Sequence, residues 1–324
     1  MNNPFIDSFI SRVDVGNFRI SNFTKIIFFC GGPWSIAPIM ESMSARDFLL
    51  KKTSEQNAEL FDRFYFENAM GKWLEGGHYV DLHTFEQHIS EICSVVFLIA
   101  ESPGSYSELG SFVTVPTIVE KLYVVTNTSM DNDETYISLG PVKFLRGVKE
   151  GDETRVRSYE WGSAFRTGHP PTVNSTDLEG IWKDIINNLI QFDENSQSEK
   201  SFSDKIDGHV SLFILDIIDL YGACKFREIS GFLNKIIDHI DEATLKKHLF
   251  LLKNLELVKA HRHGTDYFVS QSKLPHISYA FIPKTDSEVK DRLRLKQSIR
   301  KWFKENDDVR FEVIRRHVIG GSNE

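Results

Sequence analysis

Three short runs constrain this chain more than anything else in it: KIIFFC at 25–30, SVVFLIA at 94–100 and KLYVVT at 121–126. Each is almost wholly apolar and rich in β-branched and aromatic residues, with no polar alternation. That is the pattern of a strand buried on both faces of a parallel sheet. Segments 41–60 and 82–92 carry helix-compatible patterns between the runs, and 111–120 predicts another helix. Strand alternating with helix over this length predicts a doubly wound α/β domain with a mainly parallel sheet, whose ligands bind outside the carboxyl ends of the strands. Two loops, CGGPWS and ESPGSYSELG, fall at such ends.

With 324 residues there is room for a second domain. The sequence becomes polar and aperiodic over 191–205, which reads as a linker. Beyond it Val210, Phe213, Ile214 and Ile217 fall at helical spacing, FREISGFLNKII supplies a second helix, and Leu245, His248, Leu249 and Leu252 mark a third. Two alternating strands around His263-Gly264-Thr265-Asp266 follow. Three helices and a hairpin are the winged-helix order. The expected organisation is a catalytic α/β domain over 1–195, a winged-helix-like domain over 206–283 and a basic helical tail over 284–324.

Charge follows the same division. Residues 1–200 hold 17 Lys/Arg against 28 Asp/Glu, residues 201–283 hold 10 against 10, and the tail holds 11 against 8. Any nucleic-acid contact is therefore expected towards the C-terminus. No apolar run approaches the roughly 18 residues needed to span a bilayer. The first residues lack a secretory pattern, so a cytoplasmic location is the expectation. Cys30, Cys93 and Cys224 have no metal-ligand spacing and read as buried small hydrophobes; His83 and His88, five apart, do not share a helical face, and no metal site is expected.

The loop at 101–110 carries the chemistry. Ser102, Gly104 and Ser105 are small residues at a helix entrance, where unpaired backbone N–H groups suit an anion. Glu108 follows, and an ionised carboxylate at a strand-end crevice can attack or stabilise an electron-poor sugar carbon. The same letters also fit a capping box, S-x-x-E at Ser105 to Glu108, in which the glutamate serves only the helix. Gly31 and Gly32 open the other loop, either as a tight turn or to admit a ligand, and Trp34 could stack on a base or simply pack. No G-x-G-x-x-G follows a strand, so the dehydrogenase dinucleotide fingerprint is absent.

ESPGSYSELGSF, IIFFCGGP upstream and YISLGPVKFL downstream together resemble the nucleoside 2-deoxyribosyltransferase-like effectors of bacterial retron anti-phage defence systems. The resemblance implies that Glu108 is the catalytic glutamate, with Gly31 and Gly32 in the first-strand loop. It implies cleavage of an N-glycosidic bond with NAD consumed as substrate, no separate cofactor, and restraint of a toxic activity by a reverse transcriptase and its multicopy single-stranded DNA (msDNA). An additional acidic substrate contact has two candidates, Asp81 and Glu86, each also readable as a solvated helix face. Lys246, Lys247, Lys253, Lys259 and Arg262 are the candidate phosphate contacts of the winged-helix-like region, and His261 and His263 alternate on its wing. Two alternatives stay open: an N-glycosidase or deoxyribosyltransferase acting on nucleosides or deoxynucleotides, and a non-enzymatic regulator that senses a nucleotide and binds DNA.

Overall fold

Each apolar run becomes a strand. The computed structural model describes residues 4–66, 76–131, 134–148, 155–164, 172–196, 198–237, 240–283, 285 and 287–320. In chain order its main sheet comprises β1 (Ile27–Cys30), β2 (Phe64–Tyr65), β3 (Val95–Ala100), β4 (Leu122–Asn127) and β5 (Val156–Tyr159). All pairings are parallel and the spatial order is β2-β1-β3-β4-β5. The order reverses between β1 and β3. In open α/β sheets that switch point is where ligands sit.

Four helices accompany the sheet: α1 (Ala45–Gln56), α2 (Leu82–Ile92), α3 (Pro103–Phe112) and α4 (Ser175–Ser196). Side chains alternate along a strand, so Phe29, Phe97 and Val125 meet Phe48 of α1 and Trp182 of α4 in one core layer. Phe28 points the other way and meets Phe112 of α3 at 6.4 Å between ring centroids. The sheet is thus covered on both faces, which is why β1, β3 and β4 show no polar alternation. Each fully buried Phe of this core contributes roughly 1.5–3 kcal/mol.

The chain forms two compact units that are not contiguous in sequence. One comprises residues 25–68 and 89–197 and contains the parallel sheet; the other comprises 1–24, 69–88 and 198–324. In the second unit Arg19–Ile20 is the middle strand between Lys200–Ser201 and Ile277–Ser278, antiparallel to both. Then come α5 (Asp207–Tyr221), β6 (Cys224–Lys225), α6 (Phe226–Leu233), α7 (Glu242–Asn254), β7 (Val258–His263) and β8 (Thr265–Ser270). β8 pairs antiparallel with both β6 and β7. The tail forms α8 (Arg292–Asn306) and α9 (Asp308–Gly320).

Two local expectations change. The polar stretch read as a linker is helical as far as Ser196, because Phe192 and Asp193 are buried on α4 and Asp193 pairs with Arg63. The helix expected over 111–120 begins earlier, at Pro103, and stops at Phe112; a short helix, Pro116–Val119, follows. Among the described residues no helix is long and apolar enough to cross a membrane. All three cysteines are buried.

Candidate active site

The loops after β1 and β3 meet at the switch point. The Gly32 N–H donates to Glu101 Oε1 at 3.0 Å. The same carboxylate accepts from the N–H groups of Ala45 at 2.7 Å and Arg46 at 3.0 Å, both in the first turn of α1. Ser44, the N-cap, accepts the Asp47 N–H at 3.0 Å. The N-terminus of α1, open to an anion in many such folds, is occupied here by the protein's own glutamate. Burial pushes the Glu101 carboxyl above the usual carboxylate range, while the N–H groups of Arg46, Ala45 and Gly32 pull the other way.

Close packing explains the glycine pair. A Cβ on Gly32 would lie 2.6 Å from Ser44 Cβ and 3.0 Å from Glu101 Oε1, and one on Gly31 would lie 3.0 Å from Arg46 Cβ and 3.2 Å from Ile99 Cβ. The loop can therefore lie flat on the α1 terminus only with hydrogen in both places. Trp34, half-buried beyond it, packs edge-on against Phe66 with ring centroids 5.5 Å apart.

Helix α3 is capped one turn earlier than the S-x-x-E reading expects. Ser102 is the N-cap and Ser105 the reciprocal residue: the Ser105 N–H donates to Ser102 Oγ at 3.2 Å, and the Ser102 N–H to Ser105 Oγ at 3.0 Å. The Glu101 N–H also reaches Ser105 Oγ, at 3.1 Å. Pro103 at the first helical position has no N–H to offer. The expected anion cradle is thereby reduced, since both serine hydroxyls are engaged in the cap and Ser105 is fully buried. Gly104 is the exposed member of the trio.

Glu108 is thus released from the capping box and sits in the second turn of α3. Ser105, Leu109 and Phe112 turn inward at i, i+4 and i+7, and Glu108 lies on the flank of that row. It is half-buried, with its Oε2 atom shielded from solvent. Tyr106 is half-buried too, its hydroxyl 4.0 Å from Met130 Sδ, and burial followed by the charge of Glu101 raises its pKa.

Sequence reasoning missed the rest of the rim. Ala100, Thr126 and Ser158 are register partners across β3, β4 and β5. Thr126 Oγ1 and Ser158 Oγ are 2.8 Å apart, and Arg146 Nη2 donates to Ser158 Oγ at 3.0 Å. Beyond the ends of β4 and β5 lies a cavity of about 850 Å³ whose lining includes Asn127, Glu160, Trp161 and Asp177. Polar residues ending an apolar strand, TN at 126–127 and SYEW at 158–161, were the available signal.

Asp81 and Glu86 lie in residues 69–88, which group with the other unit. Asp81 caps α2, accepting the Thr84 N–H at 2.7 Å and its hydroxyl at 3.1 Å. Of the candidate phosphate contacts, Lys253, Lys259 and Arg262 are exposed. Lys246 pairs with Glu242 at 2.6 Å, and Lys247 pairs with Asp207 at 2.6 Å while lying over the Tyr79 ring. His88 is buried in the second unit, 2.7 Å from the Tyr79 hydroxyl and 2.8 Å from that of Ser211, which lies 2.8 Å from His248 Nδ1.

The fold and these loops define an α/β protein of the doubly wound class, with acidic side chains at its switch-point crevice. The family model described as STM3845 retron effector protein matches residues 42–260, and the chain belongs to that family. It is 30% identical over 145 residues to the Escherichia coli "Retron Ec86 putative ribosyltransferase/DNA-binding protein", a stretch covering 45% of each chain. It is 25% identical over 194 residues, 56% of each chain, to the Escherichia coli "Retron Ec73 putative ribosyltransferase/DNA-binding protein". The chain thus spans about half the length of the curated relatives it matches. It is a retron-system effector protein related to both.

Proposed function

We propose that the α/β unit cleaves the N-glycosidic bond of NAD, releasing nicotinamide and ADP-ribose, with Glu108 at the reacting sugar carbon. The observation that carries this reading is the position of Glu108: a half-buried carboxylate, outside the helix cap, on the helix that leaves the central strand at the switch point. The ribosyltransferase in the names of the Ec86 and Ec73 proteins supports chemistry at a ribosyl carbon.

The pyridinium–ribose bond carries a positive charge, and its cleavage returns the electron pair to the ring nitrogen, so nicotinamide leaves neutral. The Glu108 carboxylate either forms an ester with the ribosyl carbon or faces the oxocarbenium-like transition state. Water then adds to that carbon, the ester opens and one proton is released. Glu101 acts as a positioning residue, fixing the Gly31-Gly32 loop to the α1 terminus.

Regulation is part of the reading. In this reading the activity is toxic and is held in check by a reverse transcriptase and msDNA, and the description of the family as retron effectors supports that setting. The second unit supplies a DNA-binding surface in this reading: α5, β6, α6, α7, β7 and β8 follow the winged-helix order, with Lys253, Lys259 and Arg262 exposed. Product analysis separates the readings. Nicotinamide with ADP-ribose from NAD supports it; base release or exchange from nucleosides with NAD untouched replaces the substrate. Ligand binding without turnover in every case replaces the enzyme with a regulator.

A further inference from the structure

The C-terminal unit contains a cavity of about 360 Å³, bounded by the C-terminal end of α5, the end of β8 and the residues after it, and helices α8 and α9. Most of its lining comes after residue 260, beyond the stretch shared with the family. Its charge is directional. Lys273 and Arg300 are exposed at the cavity and form no ion pair among the described residues. Asp219, the carboxylate in the lining, is already matched: Arg292 Nη2 lies 2.7 Å from its Oδ2 and Lys296 Nζ 2.8 Å from its Oδ1. Arg292 also meets the buried Asp216, at 2.8 Å. The neighbourhood therefore sets four cations against two carboxylates.

The polar wall is hydrogen-bonded within itself. His317 Nε2–H donates to the Ser270 carbonyl at 2.9 Å, and Gln271 Nε2 lies 3.4 Å from His317 Nδ1. The Ser272 N–H donates to Ser270 Oγ at 3.1 Å, and Ser272 Oγ lies 2.7 Å from His276 Nε2. These bonds brace the segment that carries Lys273, and Lys273 and Arg300 both line the cavity. Ile314 and Gly222 give the same cavity an apolar side.

We propose that this cavity binds a phosphate monoester of mononucleotide size. Two cations left without carboxylate partners match a dianionic monoester better than the singly charged diester of a strand interior. The volume lies in the range of pre-formed small-molecule sites, and the apolar side can take the sugar or base. Two sources share this chemistry, a free nucleotide and the phosphorylated end of a nucleic-acid strand. The site is independent of Glu108.

The test uses the full chain and thermal-shift titration with AMP, adenosine, and short oligothymidylates bearing either a 5′-phosphate or a 5′-hydroxyl. AMP or the phosphorylated strand should raise the melting temperature saturably and adenosine should not. Lys273→Glu and Arg300→Glu, both at exposed positions, should each weaken the response at least about tenfold, the loss of one charge-assisted contact. Circular dichroism checks folding, and either variant alone suffices if the other fails. A response to AMP alone assigns the free nucleotide; a response to the phosphorylated strand assigns a strand end. The proposal is overturned by no saturable response to either, or by a response to AMP or to the 5′-phosphate that survives both substitutions.

Discussion

Replacing Gly32 by alanine tests the switch-point geometry with one methyl group. That methyl would lie 2.6 Å from Ser44 Cβ and 3.0 Å from Glu101 Oε1, so the loop after β1 must lift or the α1 cap must move. Overpacking of this kind costs about 1–3 kcal/mol, and losing the charge-assisted bond from Gly32 to Glu101 adds roughly 1.5–3 kcal/mol where no replacement forms. Partial relaxation keeps these terms from adding fully, so about 2–4 kcal/mol is expected, or roughly 4–16 °C in Tm for a unit of this size. Gly180→Ala is the matched control: the position is exposed within α4, nothing lies within 4 Å of the added atom, and about 0.5–1 kcal/mol of stabilisation should follow. Calorimetry on both variants, with nicotinamide release measured beside it, decides the matter. A Gly32→Ala protein as stable and active as wild type would refute the packing account of the Gly-Gly loop.

Three further outcomes are expected. Burial holds the His248 pKa down to about 4 and lowers that of His88, so in the folded protein both stay neutral while their unfolded counterparts take up protons below about pH 6.5. Stability is therefore present above the unfolded pKa and lost as pH falls towards about 4, with His248 alone accounting for roughly 2 kcal/mol by pH 5; urea denaturation at pH 7.5 and 5 measures it, and a flat profile would contradict the buried network. Arg310→Ala should destabilise by about 3–5 kcal/mol, because it strips Glu228, 2.6 Å away, of its cation and removes a guanidinium from the Phe303 face; chemical denaturation tests this. Lys253→Glu, Lys259→Glu and Arg262→Glu should weaken DNA binding and flatten its salt dependence, whereas Lys247→Ala, which frees Asp207, should act mainly on stability; titrations at two salt concentrations separate the two effects.

The main strands were legible because burial on both sheet faces makes β1 and β3 apolar throughout and leaves β4 polar only at its last two residues, Thr126 and Asn127. The outer strands were not: β2 is two residues long and β5 reads VRSY. Strand order is a long-range property, so the switch point that frames the site could not be read from any local window. The position of Glu108 on the helix after β3 was legible, but the capping around it was misread. Two overlapping serine spacings compete at 102–108, and Pro103 directly after Ser102 was the local signal favouring the earlier cap. Glu101 ties together β1, β3 and α1 through backbone groups 55 and 69 residues distant, which no local window could show. The grouping of residues 1–24 and 69–88 with the C-terminal half left no compositional trace.

The central claim concerns one carboxylate, and Glu108→Gln isolates it by keeping size and removing charge. Nicotinamide release from NAD should be followed for wild type and variant, each shown to be folded, alone and with the reverse transcriptase and msDNA. The account predicts release by wild type in at least one of these states and a loss of about a thousandfold or more in the variant, the scale of removing a nucleophile or its charge. Equal release by both proteins, or none from a folded wild type in any state, would contradict it.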